Sequence, residues 1–235
     1  MSAPTLSVIV AAFNEQESIR ACIHRILAVY PTGCELLVVD GGADGTGEIV
    51  KQLAVESPVI HYIRNEDDRG KGHAIRTGIA HARAEIMAQI DADLQFLPEE
   101  LPTLIAPLIE GRADVTLGSR FMTGSVRRPG STPLLRTLGN KTASAFASLL
   151  YWHRMTDVQA GMKAWTRQAA HLIDLKSDNY SYEVEIPVKA LRQGLRVMDV
   201  PITTDARAAG ESCVNVLTDG LMLLRDISRF RLGIK

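Results

Sequence analysis

The chain has 235 residues and 46% of them are hydrophobic, so it can bury the core of an α/β domain and disorder is excluded as its general state. Its 26 basic and 27 acidic side chains give a net charge of −1, which supplies no electrostatic reason to expect nucleic acid as a partner. Any site for an anion must therefore depend on a local group of cations.

Cysteine usage and hydropathy indicate the cellular setting. Cys22, Cys34 and Cys213 form no C-x-x-C pair, and free thiols suit a reducing cytosol better than a disulfide framework or a zinc site. The sequence has no basic start followed by an apolar core, and no apolar run approaches the ~20 residues that span a bilayer. We therefore expect a cytoplasmic protein that is soluble or peripheral to a membrane.

Apolar runs alternate with helical patterns in the first half of the chain. The patterns predict strands over residues 6–12, 35–39, 59–63 and 86–90, and helices over about 19–27, 49–55 and 73–84. Such alternation predicts an α/β fold with a mostly parallel, Rossmann-like sheet and helices on both faces. Ligands of these sheets bind at the carboxyl ends of strands, which is where Glu15, Asp40 and Asp91 fall.

The second half is less regular. It predicts helices over residues 99–110, 134–150 and 182–191, strands over 115–118 and 195–202, and a polar loop over 123–133. A basic amphipathic helix is predicted over 214–232. Such a helix can lie in a membrane interface, or it can pack on the core or on a second subunit.

Two carboxylates and an amide follow the apolar run at 86–90. If the chain stays extended, Asp91, Asp93 and Gln95 point the same way and present three oxygen ligands to one side. Oxygen ligands select Mg²⁺ or Mn²⁺, and a substrate diphosphate can supply the remaining ligands. A solvated loop that carries two acids is the alternative for this motif considered alone.

Basic residues and glycine clusters follow different patterns. Guanidinium groups bind phosphate oxygens bidentately, so arginines that converge near a metal predict a diphosphate or phosphate-acceptor pocket, whereas scattered ones would be ordinary surface residues. The arginines that follow the acidic motif are Arg120, Arg127, Arg128, Arg136 and Arg207.

The glycine-rich stretches at 41–47 and 70–72 match neither the dinucleotide nor the phosphate-loop pattern and are interpreted as turns.

Six motifs occur in a fixed order: AAFNE at 11–15, VVD and DGT at 38–46, DADLQ and PE at 91–99, GSRF at 118–121, DVQAGMK at 157–163, and RAAGES at 207–212. This series resembles the family-two glycosyltransferases, in particular the dolichol-phosphate or polyprenol-phosphate mannosyl- and glucosyltransferases. The resemblance implies a single A-type glycosyltransferase domain over 1–212. Its nucleotide-sugar half would cover about 1–120 and its acceptor half about 121–212, and 213–235 would be an amphipathic helical segment.

Roles for individual residues are implied by matching position in that family. The resemblance implies a nucleotide pocket, a metal and diphosphate site, and phosphate contacts near the donor sugar and the acceptor. Cys213 stands where the family usually has Lys, which removes one cation from the acceptor site. The nucleotide contacts would be Ala11, Phe13, Glu15, Val39 and Asp40; the metal and diphosphate contacts Asp91, Ala92, Asp93 and Gln95; and the sugar or phosphate contacts Arg120, Arg207 and Ser212, with Asp91, Asp93, Arg120 and Arg207 catalytic.

The implied activity is metal-dependent, inverting transfer of a hexose from a GDP- or UDP-linked sugar to a polyprenyl phosphate. A phosphate acceptor is already largely ionised near neutral pH and needs no general base, whereas a hydroxyl acceptor would need one, for which Asp157 is the first candidate. The enzyme would reach its lipid at the cytoplasmic face of a membrane, peripherally or through a membrane partner. Transfer to a saccharide hydroxyl, a nucleotidyl- or phosphotransferase, and a non-catalytic nucleotide-sugar-binding module are the alternatives.

Overall fold

The computed structural model describes residues 4–207 and 216–233. Its strands form one sheet of seven strands and one of two. The strands are β1 Leu6–Ala12, β2 Cys34–Asp40, β3 Ile60–Arg64, β4 Ile86–Gln89, β5 Val115–Ser119, β6 Val126–Arg127, β7 Lys163–Thr166, β8 Val197–Pro201 and β9 Thr203–Thr204. The large sheet has the order β3-β2-β1-β4-β7-β5-β8, and β6 pairs with β9.

The large sheet is mostly parallel, as the alternating patterns predict. β1 pairs in parallel with β2 and β4, β2 with β3, and β5 with β8. β7 lies between β4 and β5 and is antiparallel to both. The carboxyl ends of six strands therefore meet at one edge of the sheet.

Helices cover both faces of the sheet, which confirms the predicted class. The helices are α1 Ile19–Val29, α2 Thr46–Glu56, α3 Lys71–His81, α4 Leu101–Ile109, α5 Leu134–Tyr151, α6 Arg167–Ile173, α7 Tyr182–Arg192 and α8 Val216–Leu232. Val8 and Val10 of β1 face the core shared with α1, α2 and α4. Ile9 points to the opposite core, which α3, α5, α6, α7 and α8 complete. This alternation is the two-residue side-chain period of a strand.

β7 and α6 were not predicted from the sequence. β7 has only four residues and begins with Lys163, which is 0% exposed in the middle of the sheet. A lysine at a buried strand position breaks the apolar pattern that identifies central strands. Thr166 ends β7 and also caps α6, because its side chain accepts a hydrogen bond from Ala169 N.

The C-terminal helix α8 packs on the core, which was one of the alternatives predicted for it. Leu223 and Ile227 are buried in the same core as α5 and α7. Tyr151 Oη donates to the Ile227 carbonyl over 3.0 Å, and Ser181 Oγ donates to Asp226 Oδ2 over 2.6 Å. Because Leu223 and Ile227 are buried in the core, these two apolar residues are not available to a membrane interface.

Two further expectations concern thiols and membrane spans. Cys22 and Cys34 are buried free thiols, as predicted, while Cys213 lies outside the described residues. Within residues 4–207 and 216–233, no helix combines the length and the apolar composition that crossing a bilayer requires.

Candidate active site

Three acidic positions meet at the carboxyl edge of the sheet, as predicted. Glu15 follows β1, Asp40 ends β2, and Asp91 lies two residues beyond β4. Burial is the main cause that raises the pKa of Glu15, and the charges of Asp93 and Asp91 raise it further. Residues far apart in sequence therefore share one electrostatic environment.

The loops after β1 and β2 are hydrogen-bonded to each other. Asn14 Oδ1 accepts from Ala43 N over 3.0 Å, and Glu15 N donates to Thr46 Oγ1 over 2.9 Å. Asn14 has a φ of 57°, a left-handed conformation in which Asn is enriched. The two loops thus form a fixed wall at this edge, and Phe13, which is 60% exposed, lies in the first of them.

Asp40 is buried beneath these loops. Its Oδ1 accepts from Gly42 N over 2.9 Å, and its Oδ2 accepts from Tyr62 Oη over 3.2 Å. Arg64 Nη1 lies 3.5 Å from Oδ2. The carboxylate predicted to contact the nucleotide therefore also fixes the start of the loop that follows β2.

The apolar positions predicted to contact a nucleotide differ in exposure. Phe13 is exposed and Ala11 is half-buried, so both can meet a ligand. Val39 and Ala92 are 0% and 2% exposed and lie in the interior. Contacts of Val39 and Ala92 with a nucleotide or diphosphate therefore stay a prediction.

The acidic motif forms a turn, so the prediction of an extended segment was wrong. β4 ends at Gln89, and Leu94 has a φ of 60°, which reverses the direction of the chain. Asp93 Oδ1 accepts a hydrogen bond from Gln95 N over 3.0 Å, a bond that local turns favour. The two carboxylates are consequently placed by a turn and not by strand alternation.

Asp91 lies between a lysine and a glycine. Its Oδ1 is 2.7 Å from Lys71 Nζ, at the first position of α3. A Cβ added to Gly161 would lie 2.6 Å from Asp91 Cγ and 2.7 Å from Oδ1, closer than real contacts allow. Glycine at 161 is therefore what allows the carboxylate to lie against the backbone there.

Lys71 belongs to a buried charge network that the sequence did not reveal. Glu183 Oε1 is 3.4 Å from Lys71 Nζ and accepts from Tyr182 Oη over 2.7 Å, and Glu183 Oε2 pairs with Lys163. Burial lowers the pKa of Lys163. For Lys71, burial acts in the same direction, but Asp91 and the neighbouring groups outweigh it and raise the pKa. The network fixes a positive charge against Asp91.

Asp93 is paired with an arginine from the far end of the chain. Its Oδ2 lies 2.8 Å from Arg207 Nη2. The segment that carries Arg207 crosses the acidic turn, because Asp205 N donates to the Gln95 carbonyl over 2.9 Å. The predicted convergence of Asp93 and Arg207 is thus present, while Ser212 lies outside the described residues.

Arg120 is held by a buried aspartate. Asp157 is 0% exposed, and its Oδ1 and Oδ2 accept from Arg120 Nη2 and Nε over 2.8 and 2.6 Å. The guanidinium also lies over the rings of Phe96 and Phe121, at 5.9 and 5.3 Å. Asp157, the candidate base for a hydroxyl acceptor, therefore has both oxygens occupied by a guanidinium.

The other predicted arginines have separate contacts. Arg128 pairs with Asp205 over 2.6 Å, and Arg127 Nη1 lies 3.3 Å from Thr137 Oγ1. Arg136 is half-buried on α5. Among the five arginines, Arg207 forms an ion pair with the acidic turn, and convergence of several arginines on a phosphate stays a prediction.

The donor set fits a hard divalent cation. Asp91 and Asp93 provide carboxylate oxygens, the ligand type that Mg²⁺ and Mn²⁺ prefer. In the part of the chain that is described, no three His, Cys, Asp or Glu side chains form a ready ligand cluster. Gln95 Nε2 donates to the Ser131 carbonyl over 2.9 Å, which directs this amide to the 123–133 loop. A cation here would therefore take its other ligands from a substrate.

A cavity at the opposite edge of the sheet is unrelated to these groups. It has a volume of about 580 Å³ and is lined by residues near the starts of β1, β4 and β5, among them Leu6, Ile86 and Asp114. Because ligands of open α/β sheets bind at the carboxyl ends of strands, we assign the functional site to the charged edge.

The fold is that of the A-type glycosyltransferases. The solved structure of glucosyl-3-phosphoglycerate synthase from Mycobacterium tuberculosis, in complex with Mn²⁺, UDP and glucosyl-3-phosphoglycerate, superimposes with a TM-score of 0.73 at 22% identity. The match covers 99% of this chain and 81% of that one. At this identity the likeness establishes the fold.

Sequence comparison identifies the family. The model of Glycosyl transferase family 2 matches residues 7–170, so the chain belongs to glycosyltransferase family 2 and is a glycosyltransferase. Polyprenol monophosphomannose synthase of Mycolicibacterium smegmatis is 30% identical over 87% of this chain and 79% of its own length. Undecaprenyl-phosphate mannosyltransferase of Micrococcus luteus is 29% identical over 96% of this chain and 98% of its own.

Proposed function

We propose that this enzyme transfers a hexose from a GDP- or UDP-linked sugar to a polyprenyl phosphate, with Mg²⁺ or Mn²⁺ as cofactor and with inversion at the anomeric carbon. The observation that carries the proposal is the pairing of Asp91 with Lys71 and of Asp93 with Arg207 at the carboxyl edge of the sheet. This arrangement brings acids for a cation and cations for phosphates into one place. The names of the two mannosyltransferase relatives support the acceptor class.

The donor would bind with its diphosphate at the acidic turn. When bound there, the cation would neutralise charge on the leaving nucleoside diphosphate. Asp91 and Asp93 would hold that cation, while Lys71 and Arg207 would turn from the carboxylates towards phosphate oxygens. Since charge on the leaving group grows as the sugar–oxygen bond breaks, such contacts stabilise the transition state more than the bound donor.

The state of Asp157 favours a phosphate acceptor. A hydroxyl acceptor needs a base to remove its proton, but Asp157 is buried and both its oxygens accept hydrogen bonds from Arg120. A phosphate monoester with a second pKa of ~6 is largely ionised at neutral pH and attacks without a base. The pairing therefore counts for the polyprenyl phosphate and against the saccharide hydroxyl.

A transfer assay tests the proposal. The purified chain is given radiolabelled UDP- and GDP-hexoses, a short polyprenyl phosphate, and either Mg²⁺, Mn²⁺ or EDTA. We expect label in the organic phase, release of one nucleoside diphosphate per sugar transferred, and loss of both products in EDTA. A parallel thermal-shift screen with Mn²⁺ identifies the donor, because a bound donor stabilises the fold by mass action.

The controls separate the alternatives. Simple sugars replace the lipid in a second set, and label on a sugar hydroxyl without label on the lipid would overturn the acceptor assignment. Release of hexose 1-phosphate in place of a nucleoside diphosphate would indicate nucleotidyl transfer. Donor binding without turnover for any acceptor would indicate a non-catalytic nucleotide-sugar-binding module.

A further inference from the structure

The outward side of α5 carries large apolar residues where a surface helix normally carries polar ones. We define the α5 outer face as Leu134, Leu135, Leu138, Leu149 and Trp152, the last residue being the C-cap of the helix. Leu134 and Trp152 are each 85% exposed. Single exposed apolar side chains are ordinary, but a row of them along one helix marks an interaction surface.

The inner side of the same helix is already packed. Ala143, Ala147 and Tyr151 are buried in the core that also contains α7 and α8. These inner residues pack α5 against the fold. The outer face is a second apolar surface of the same helix, and each of its residues is more than half exposed.

The charge of the surrounding sequence favours an anionic surface as the partner. Residues 115–156 contain no Asp or Glu, although the whole chain has a net charge of −1. α5 itself carries Arg136 and Lys141, and Arg127 and Arg128 precede it in the 123–133 loop. Basic side chains beside exposed leucines and a tryptophan are the composition of helices that lie in a membrane interface.

The position of this face relates it to the active site. Ser131, whose carbonyl accepts from Gln95 Nε2, lies three residues before Leu134. Lys141 Nζ lies 5.5 Å from the centre of the Phe121 ring, and Arg120 lies over the same ring. The leucines at the start of α5 thus border the loop that contacts the acidic turn.

From these observations we propose that the α5 outer face binds the surface of an anionic lipid bilayer and orients the active site towards it. α8, the helix for which the sequence suggested this role, has its buried residues packed on α5 and α7 instead. The inference rests on the proposed function, because a polyprenyl phosphate is delivered from a membrane. Its physical content, adsorption to lipid, is testable without any turnover.

Vesicle flotation tests the proposal directly. The full chain is mixed with vesicles of phosphatidylcholine and phosphatidylglycerol, or of phosphatidylcholine alone, and the floated fraction is measured. The test variant combines Leu134→Gln, Leu135→Gln and Leu138→Gln, because Gln keeps helix propensity close to that of Leu. We expect its partition coefficient on anionic vesicles to fall at least about tenfold, because buried apolar area sets the strength of interfacial binding.

A matched control variant removes the same number of exposed apolar side chains elsewhere. It combines Val55→Gln, Ile109→Gln and Leu172→Gln, on α2, α4 and α6, where the side chains are 88%, 65% and 40% exposed. We expect vesicle binding by this control to equal that of the unmodified chain. Equal losses in the two variants would mean that general surface hydrophobicity, and not α5, drives adsorption.

Tryptophan fluorescence reports where the lipid contacts the protein. The chain has two tryptophans, and Trp165 is 1% exposed whereas Trp152 is 85% exposed. Anionic vesicles should therefore shift the emission of Trp152 to shorter wavelength. The shift should be absent in Trp152→Asn, a change that suits the left-handed backbone at this position, where φ is 55°.

Two outcomes would overturn the inference. One is unchanged flotation of the triple α5 variant. The other is a dimer in solution that the same three changes convert to a monomer with no effect on flotation, which would assign the face to a second copy of the chain. Transfer to a short, water-soluble acceptor should be equal in all variants. Lipid binding without any transfer would contradict the proposed function and leave the inference standing.

Discussion

The two edges of the central sheet use ion pairs in different ways. At the amino edge, Glu35 near the start of β2 is paired with Arg83 over 2.6 Å and accepts from Ser7 Oγ over 2.5 Å. At the carboxyl edge, Asp91 and Asp93 are each paired with a cation from another part of the chain. The amino-edge group joins a strand start to a nearby loop, whereas the carboxyl-edge groups face the site.

The difference indicates which charges serve stability and which serve function. Glu35 has its hydrogen bonds satisfied within the protein, so its ionised form is stabilised by folding. Under the proposed function, the cations that hold Asp91 and Asp93 would instead be exchanged for a metal and a diphosphate. Substitutions at the amino edge should therefore reduce stability, and substitutions at the carboxyl edge should reduce turnover.

The largest expected effect is that of Asp93→Asn. The change keeps the shape of the side chain and removes the charge that would hold a divalent cation, so we expect turnover to fall by about 10³-fold or more. The free energy of unfolding should change by about 1 kcal/mol: Asp93 is buried, but the Asn side-chain oxygen can still accept from Gln95 N, and Arg207 is 30% exposed. Steady-state kinetics and thermal unfolding measure the two quantities.

Asp205→Asn provides the matched control. Asp205 lies in the segment that crosses the acidic turn, but it pairs with Arg128 at the surface. Its turnover should stay within a few-fold of the unmodified enzyme. Wild-type turnover in a folded Asp93→Asn sample would remove the acidic turn from the mechanism.

Gly161→Ala should give the next largest effect. The added methyl would lie within 2.7 Å of Asp91 Oδ1 and must displace the carboxylate from its contact with Lys71. Misplacement of a catalytic group by about 1 Å can cost about 10²-fold in rate, and we expect a loss of that size. Titration of activity with Mn²⁺ should show a weaker apparent affinity for the metal. Unchanged kinetics would mean that the carboxylate has more room than the structure gives it.

Glu35→Gln should affect stability and leave turnover unchanged. The buried carboxylate accepts from Ser7 and from the Arg83 backbone and side chain, and its loss should lower the free energy of unfolding by about 2 kcal/mol. Urea unfolding at neutral pH measures the loss. A loss of turnover at a temperature where the variant is fully folded would contradict the separation of the two edges.

The stability lost in Glu35→Gln should depend on pH with a definite sign. Burial by itself would raise the pKa of Glu35, but hydrogen bonds from Ser7 and Arg83 outweigh burial and lower it below the ordinary value of 4.5. A lowered pKa in the folded state contributes stability above the unfolded pKa and loses it as the pH falls through the folded pKa. The difference between Glu35→Gln and the unmodified protein should therefore be greatest above pH about 4.5 and shrink in more acidic solution.

The smallest effect should come from Asp114→Asn. Asp114 pairs with Arg196 at the amino edge, where β5 and β8 begin, and the arginine side chain is 56% exposed. Exposed pairs contribute little to stability, so the Tm should change by less than about 2 °C. Differential scanning calorimetry in low and high salt measures the change. A larger change than that of Glu35→Gln would reverse the expected order of the buried and exposed pairs.

The sequence predicted the regular elements well because burial produces simple patterns. β1 coincides with the predicted 6–12 run, and the apolar period of α1 appears in its buried residues Ile19, Cys22, Ile23 and Ile26. The antiparallel β7 was missed since its lysine contradicts the pattern of a central strand. Its charge is compensated by Glu183, 20 residues away, a partner that local periodicity cannot reveal.

The site was predicted only in part, because local sequence patterns do not reveal contacts between residues far apart in the chain. The end of β4 and the acidic motif located the carboxylates, while the resemblance to a family suggested Arg207. Lys71 was interpreted as part of a glycine turn, because its contact with Glu183 joins residues 112 positions apart. The conformation of the acidic turn also escaped prediction, since the left-handed Leu94 is not a residue type that signals such a turn.

The insertion of β7 between β4 and β5 has a consequence for folding during synthesis. β5 leaves the ribosome before β7, yet it has no direct pairing with β4, so the middle of the sheet stays incomplete until residue 166 has emerged. A nascent or truncated chain that ends earlier would expose β4 as an unpaired edge, and such edges favour aggregation. We expect a fragment of residues 1–120 to be recovered mainly as aggregate by size-exclusion chromatography; a monodisperse, folded fragment would show that the first four strands fold on their own.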